Sequence, residues 1–121
     1  MLLGAYCGLI FVLSGRSQLL VPMSFPGEDK LIHAAAYGLM GLLAWMTCSR
    51  EQRPRSVVFF VSVLFCSLYG LSDEWHQSFV PGRDASAGDW LADTLGGLLA
   101  ATILLRLRRP EESGWKRNAQ R

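Results

Sequence analysis

Charge is what this sequence has least of, and the shortage is concentrated in blocks. No Lys, Arg, Asp or Glu occurs in residues 1–15, 31–49 or 56–72 of the 121-residue chain. Charged residues make up only 18% of the whole, hydrophobic ones 50%, and the net charge is +2. A hydrocarbon core of about 30 Å is crossed by roughly 20 helical residues, which satisfy their own backbone hydrogen bonds. Uncharged blocks of that length therefore point away from a soluble domain.

Other absences narrow the chemistry. The three cysteines, Cys7, Cys48 and Cys66, are widely spaced in apolar surroundings and form no C-x-x-C pair, which argues against a disulfide frame or a thiolate metal site. Buried cysteine acting as a small apolar side chain is the simpler reading. The apolar start has no Lys/Arg-rich leader and no A-x-A cleavage site, so it reads as a retained first helix rather than a signal peptide. There is no H-E-x-x-H, no G-x-S-x-G, no low-complexity segment and no repeat beyond a helical hairpin pattern.

The fold class expected is all-α, an integral membrane bundle of four transmembrane helices. Length allows one domain. It comprises residues 1–107, with helices at about 1–20, 30–49, 56–76 and 87–107, followed by a basic cytoplasmic tail over 108–121. The last helix is the least clear of the four, because Asp89 and Asp93 interrupt it.

Orientation follows from the basic residues. Arg50, Arg53 and Arg55 crowd the linker after the second helix. Arg106, Arg108, Arg109, Lys116, Arg117 and Arg121 mark the C-terminal end. Four spans place both groups in the cytoplasm, together with the N-terminus, whereas a three-span chain is expected to separate them. Beside a membrane span, such charge suits topology anchoring and anionic lipid contact, and no nucleic-acid partner is expected.

The polar residues gather near the two opposite connections. One group is Lys30, His33 and, a turn later, Tyr37; the other is Asp73, Glu74, His76, Gln77 and Arg83, leading to Asp89 and Asp93. A rise of about 1.5 Å per residue puts Asp89 about 4–5 Å and Asp93 about 10 Å below the outer boundary, with Asp73 and His33 at similar shallow depth. Acids facing lipid are costly, about 2.5–3.5 kcal/mol at a helix centre and less near the interface. Asp89 and Asp93, at i,i+4, share one face and must turn inward together. The small-residue stripe Gly88, Ala92, Gly96, Ala100, with Gly38 and Gly41, suits close helix approach in lipid.

Three motifs in order carry a family resemblance: Asp29-Lys30-x-x-His33-x-x-x-Tyr37; Ser72-Asp73-Glu74-Trp75-His76-Gln77-x-Phe79-x-Pro81-Gly82-Arg83; and Asp89-Trp90-x-x-Asp93-x-x-Gly96. Together, over about residues 29–100, they resemble the VanZ-like membrane proteins. The last motif usually reads D-x-x-x-N, so Asp93 is a departure that adds an acid. The resemblance implies a multi-pass protein of the bacterial cytoplasmic membrane, in a family associated with glycopeptide (teicoplanin) resistance. It implies no particular reaction and names no cofactor.

Three functional readings fit these residues. In the first, the outer polar site binds a lipid head group, a glycopeptide or another envelope component. Arg16, Lys30 and Arg83 then engage phosphate or carboxylate, and Trp75 and Trp90 cover an apolar portion. In the second, an intramembrane enzyme acts on a lipid-linked substrate. His33 or His76 serves as base, Asp73, Glu74, Asp89 and Asp93 shuttle protons or hold a metal, and Arg83 stabilises an oxyanion. No recognised metal-ligand spacing is present, so no metal site is assigned. In the third, the polar residues only lock the helices together. Membrane lipids are the expected partners, and a homo-oligomer is compatible with so small a bundle.

Overall fold

A computed structural model describes residues 1–17 and 23–107. The described residues form four α-helices: α1 (Leu2–Ser14), α2 (Glu28–Cys48), α3 (Arg55–Gln77) and α4 (Ala87–Leu107). Three of them, α2 to α4, are long and apolar enough to cross a membrane. Residues 18–20 of the expected first helix and the expected tail 108–121 lie outside the described residues.

Local sequence explains the helix limits. Gly27, at φ +88°, turns the chain into α2, and Glu28 and Asp29 occupy its first turn, where the exposed amides favour acids. A short 3₁₀ turn, Ser49–Glu51, closes that helix, and Gln52 takes a left-handed φ of 51° before Pro54 starts α3. At the start of α4, the Ser86 hydroxyl accepts the Asp89 N–H at 3.4 Å.

The first helix departs from expectation. It ends at Ser14, where the hydroxyl turns back onto the Phe11 carbonyl at 3.2 Å and the Arg16 amide closes a tightened last turn on the Leu13 carbonyl at 3.2 Å. Its 13 residues rise about 20 Å, short of the hydrocarbon thickness. The direction of α1 is nonetheless clear. Cys7 meets Tyr69 and Ser14 meets His76, so α1 runs parallel to α3. The separation argument also needs correcting. Crossings by α2, α3 and α4 alone already return the chain to the side of the 49–55 linker. There the Arg55 guanidinium donates to the Leu105 carbonyl at 2.5 Å. The linker and the end of α4 thus share one side whether or not α1 crosses.

Apolar side chains face outward. Phe60, Leu64, Leu68, Leu71 and Trp75 form an exposed stripe along α3, and Leu91, Leu95 and Leu99 form another along α4. Stripes of this extent would be a liability in water and suit lipid. Inside, Ile10, Tyr37, Met40 and Cys66 make one core cluster, and Trp45, Val58 and Ala101 a second nearer the linker.

Glycines set the seams of α4 with α2 and α3. A methyl at Gly41 would stand 3.1 Å from Gly97 Cα, and one at Gly97 would be 2.6 Å from Cys66 Cβ. At Gly96 it would collide with the Ala34 backbone carbonyl. By contrast, a methyl at Gly4 or Gly8 would meet nothing within 4 Å among the described residues, so their G-x-x-x-G pattern makes no seam there.

The first helix is held by polar ties. The Tyr69 hydroxyl donates to the Cys7 carbonyl at 2.6 Å and the Tyr6 hydroxyl to the Ala36 carbonyl at 2.9 Å. We expect Tyr69→Phe to cost about 1 kcal/mol in reversible denaturation of the solubilised protein. A cost indistinguishable from zero would mean that apolar packing alone holds α1.

Candidate functional site

The start of α2, the end of α3 and the start of α4 meet at the bundle end away from the linker. Two rungs join α2 to α4. Lys30 Nζ donates to Asp89 Oδ1 at 2.9 Å, and His33 Nδ1 donates to Asp93 Oδ1 at 2.8 Å. Residues spaced i,i+3 on α2 face residues spaced i,i+4 on α4, so each base meets its own acid.

The third helix adds a second chain of bonds. The Tyr37 hydroxyl donates to Asp73 Oδ2 at 3.3 Å, and Gln77 Nε2 donates to the same oxygen at 3.4 Å. Arg83 Nη2 donates to Gln77 Oε1 at 3.0 Å. The Pro81-Gly82 turn presents that arginine: Arg83 N–H closes on the Val80 carbonyl at 3.1 Å, and Gly82 takes the positive φ of 79° that favours glycine there. Glu74 Oε2 accepts the Ser86 N–H at 2.7 Å.

These acids are deeply placed. Relative exposure is 5% for Asp73, 5% for Glu74, 8% for Asp89 and 0% for Asp93. Lys30 compensates Asp89, and His33 stands on Asp93. Asp73 and Glu74 make no ion pair among the described residues. Glu74 Oε1 and Asp93 Oδ2 are buried without a hydrogen-bond partner among the described residues. A His33 nitrogen and one carboxylate oxygen each from Glu74 and Asp93 lie within 4.8 Å of one another. Gly70 makes room beside them, since a methyl there would stand 2.9 Å from Asp93 Oδ2.

A cavity of about 490 Å³ opens next to this cluster. Ile10 and Leu13 of α1 and Ile32 and Ala36 of α2 give it apolar walls, while His33, Tyr37, Asp73, Gln77, Arg83 and Asp89 supply polar groups. Asp29 and Asp84 stand at it as well, so its lining carries more acid than base.

Of the residues singled out from sequence, Lys30, His33, Tyr37, Asp73, Glu74, Gln77, Arg83, Asp89 and Asp93 join in these contacts. His76 does not. Its ring stacks on Phe11 at 4.3 Å, with Nδ1 3.3 Å from Ser14 Oγ, and it serves the α1–α3 contact. Trp90 also looks elsewhere, donating from Nε1 to the Ser67 carbonyl at 3.0 Å. Trp75 is exposed at the bundle surface, packed edge-on to Phe79. Sequence reasoning missed Ser86, although Ser86-x-x-Asp89 is a readable helix-start pattern. It also missed the α1 wall of the cavity, for which no sequence signal exists.

The family model described as VanZ/LLP1 matches residues 11–108. The chain belongs to the VanZ/LLP1 family. No curated protein and no solved structure matches it. The match includes every residue of the polar cluster. In this VanZ/LLP1 chain the ordered motifs correspond to physical neighbours: the His33 motif touches the Asp93 motif directly, and the Asp73 motif closes over both.

Proposed function

We propose that this VanZ/LLP1 protein binds the polar head of an amphiphilic envelope component in the cavity between α1, α2, α3 and the 78–86 connection. The observation that carries this reading is the lining, with apolar walls beside a floor of carboxylate, amide, hydroxyl and guanidinium groups. Lys30 and Arg83 already serve Asp89 and Gln77, and the lining has an excess of acids. A head rich in hydroxyl or amine groups therefore suits the cavity better than a bare phosphate, which carboxylates repel. A lipid-linked sugar or an amino-bearing glycopeptide has that chemistry.

Under this proposal the protein sits in the bacterial cytoplasmic membrane with the arginine-rich linker in the cytoplasm and the polar end outside. The first helix, directed from the linker side, extends the bundle to four helices, and the N-terminus faces the cytoplasm. A link to teicoplanin susceptibility follows from sequestering an envelope component. Restoring wild type, but not Asp73→Asn, to a deletion strain should then change the inhibitory concentration.

The direct test is binding of an envelope lipid extract to delipidated protein, read by native mass spectrometry. Wild type should retain a discrete lipid class, and Asp73→Asn and Arg83→Ala should retain roughly tenfold less or lower, about 1.4 kcal/mol each. Equal retention by all three would overturn the assignment of the cavity.

A second reading draws on one contact. A carboxylate that fixes an imidazole, as Asp93 does His33, is the arrangement of a general base, and it supports an intramembrane enzyme acting on a lipid-linked substrate. Turnover of the retained lipid by wild type but not by His33→Ala would favour it over binding alone. An unchanged lipid would remove it.

A further inference from the structure

We infer that His33, Glu74 and Asp93 form a binding site for a divalent first-row transition cation, of the Zn²⁺ or Mn²⁺ class. The inference does not depend on which head group the cavity accepts. It starts from charge. Two adjacent carboxylates with 5% and 0% exposure are expensive in a medium of low dielectric unless compensated. Lys30 pairs with Asp89, and among the described residues His33 is the basic group placed within reach of Glu74 and Asp93. A single imidazolium balances one carboxylate, whereas a doubly charged cation balances both.

Hydrogen bonding gives an independent reason. Each carboxylate uses one oxygen: Asp93 Oδ1 on His33, and Glu74 Oε2 on the Ser86 amide. The others, Asp93 Oδ2 and Glu74 Oε1, are buried and unpartnered among the described residues. Buried polar atoms are nearly always satisfied, so such a pair asks for a ligand that accepts electron density from both. Gly70 is what lets the Asp93 carboxylate seat against α3, since a methyl there would stand 2.9 Å from Oδ2.

Geometry allows a metal. Donor atoms within 4.8 Å of one another need to close to about 3.4 Å for a tetrahedral ion bonded at about 2.1 Å, a movement within the reach of side-chain rotation. Imidazole with carboxylates suits zinc, manganese or ferrous iron better than calcium or magnesium, which prefer oxygen alone. The Ser86 amide, at the cap of α4, would orient Glu74 as an outer partner, a device common around metal ligands. Of the three ligands, His33 is the one that lines the cavity and so connects the site to it.

The experiment uses the full chain, free of affinity tag and purified without chelator. Metal content is measured by inductively coupled plasma mass spectrometry. Protein stripped with EDTA is then titrated with ZnCl₂ and MnCl₂ while Tm is followed. Wild type should carry close to one equivalent of one transition metal, and re-addition should raise Tm reversibly. Asp93→Asn and Glu74→Gln, which keep side-chain shape, should weaken the metal response by roughly tenfold or more. Glu51→Gln, an exposed acid on the linker, should respond as wild type does. Absence of stoichiometric metal in wild type, with no Tm response to either salt, would overturn the site even if the variants fail to fold. A metal response undiminished in folded Asp93→Asn and Glu74→Gln would overturn it as well.

Discussion

Gly96→Val should remove most of the protein from the monodisperse peak in detergent and cost more than about 3 kcal/mol in whatever folded fraction remains. A side chain at residue 96 runs into the carbonyl of Ala34, which is main chain and cannot rotate away. The helices must part, and with them the contact between Gly41 and the next residue of α4, Gly97. In lipid no hydrophobic drive pulls separated helices back, so the lost close approach has little to replace it. Gly8→Val is the matched control, since a Cβ there meets nothing within 4 Å. Size-exclusion profiles of the two variants compare the same side chain added to a seam and to open space. A monodisperse Gly96→Val protein of wild-type stability would show that α2 and α4 are not in backbone contact.

Lys30→Ala should destabilise the bundle by more than the loss of an exposed ion pair would, and adding Asp89→Asn should return at least half of that loss. The lysine side chain is 49% exposed, so its own attraction is screened and small. The cost comes from the partner left behind. Asp89, with its side chain 11% exposed, would keep a charge with no cation on it, and stranding a buried charge is worse than never having had the pair. Converting that acid to the amide removes the stranded charge while preserving shape. A double-mutant cycle in chemical denaturation measures both effects. If the double variant is as unstable as the sum of its parts, the pair contributes through packing of the lysine stem instead.

Much of the architecture is legible before any coordinates. The uncharged runs at 31–49 and 56–72 leave little choice about α2 and α3. For α4 the same acids that blur its hydropathy identify its inward face, because i,i+4 spacing cannot hide Asp89 and Asp93 separately. Their partners in α2 follow from depth, and His33 and Lys30 do meet them. What hydropathy misses is the end of α1. Ser14 and Gly15 follow an unbroken apolar run, and only the hydroxyl folding onto Phe11 shows where the helix stops. His76 was indistinguishable from the cluster by composition. It sits beside Glu74 and Gln77 in sequence, yet on a helix its direction differs from both, and it lies on Phe11. Sequence offers both Lys30 and Arg83 to an anion; in the fold Lys30 meets Asp89, while Arg83 lines the cavity with one donor on Gln77. Which acceptor a long side chain reaches depends on neighbours from other helices, and sequence spacing does not contain that.

The glycine seam has one further consequence, concerning insertions and deletions. Because Gly96 seats against the main chain of Ala34, the angular phase of α4 is locked at that point. A single residue inserted between Asp93 and Gly96 would swing both acids about 100° around the helix axis while the seam stayed in place. Asp93 would leave His33, and Asp89 would leave Lys30. Length variation is therefore tolerable in the linker, but not within this one turn.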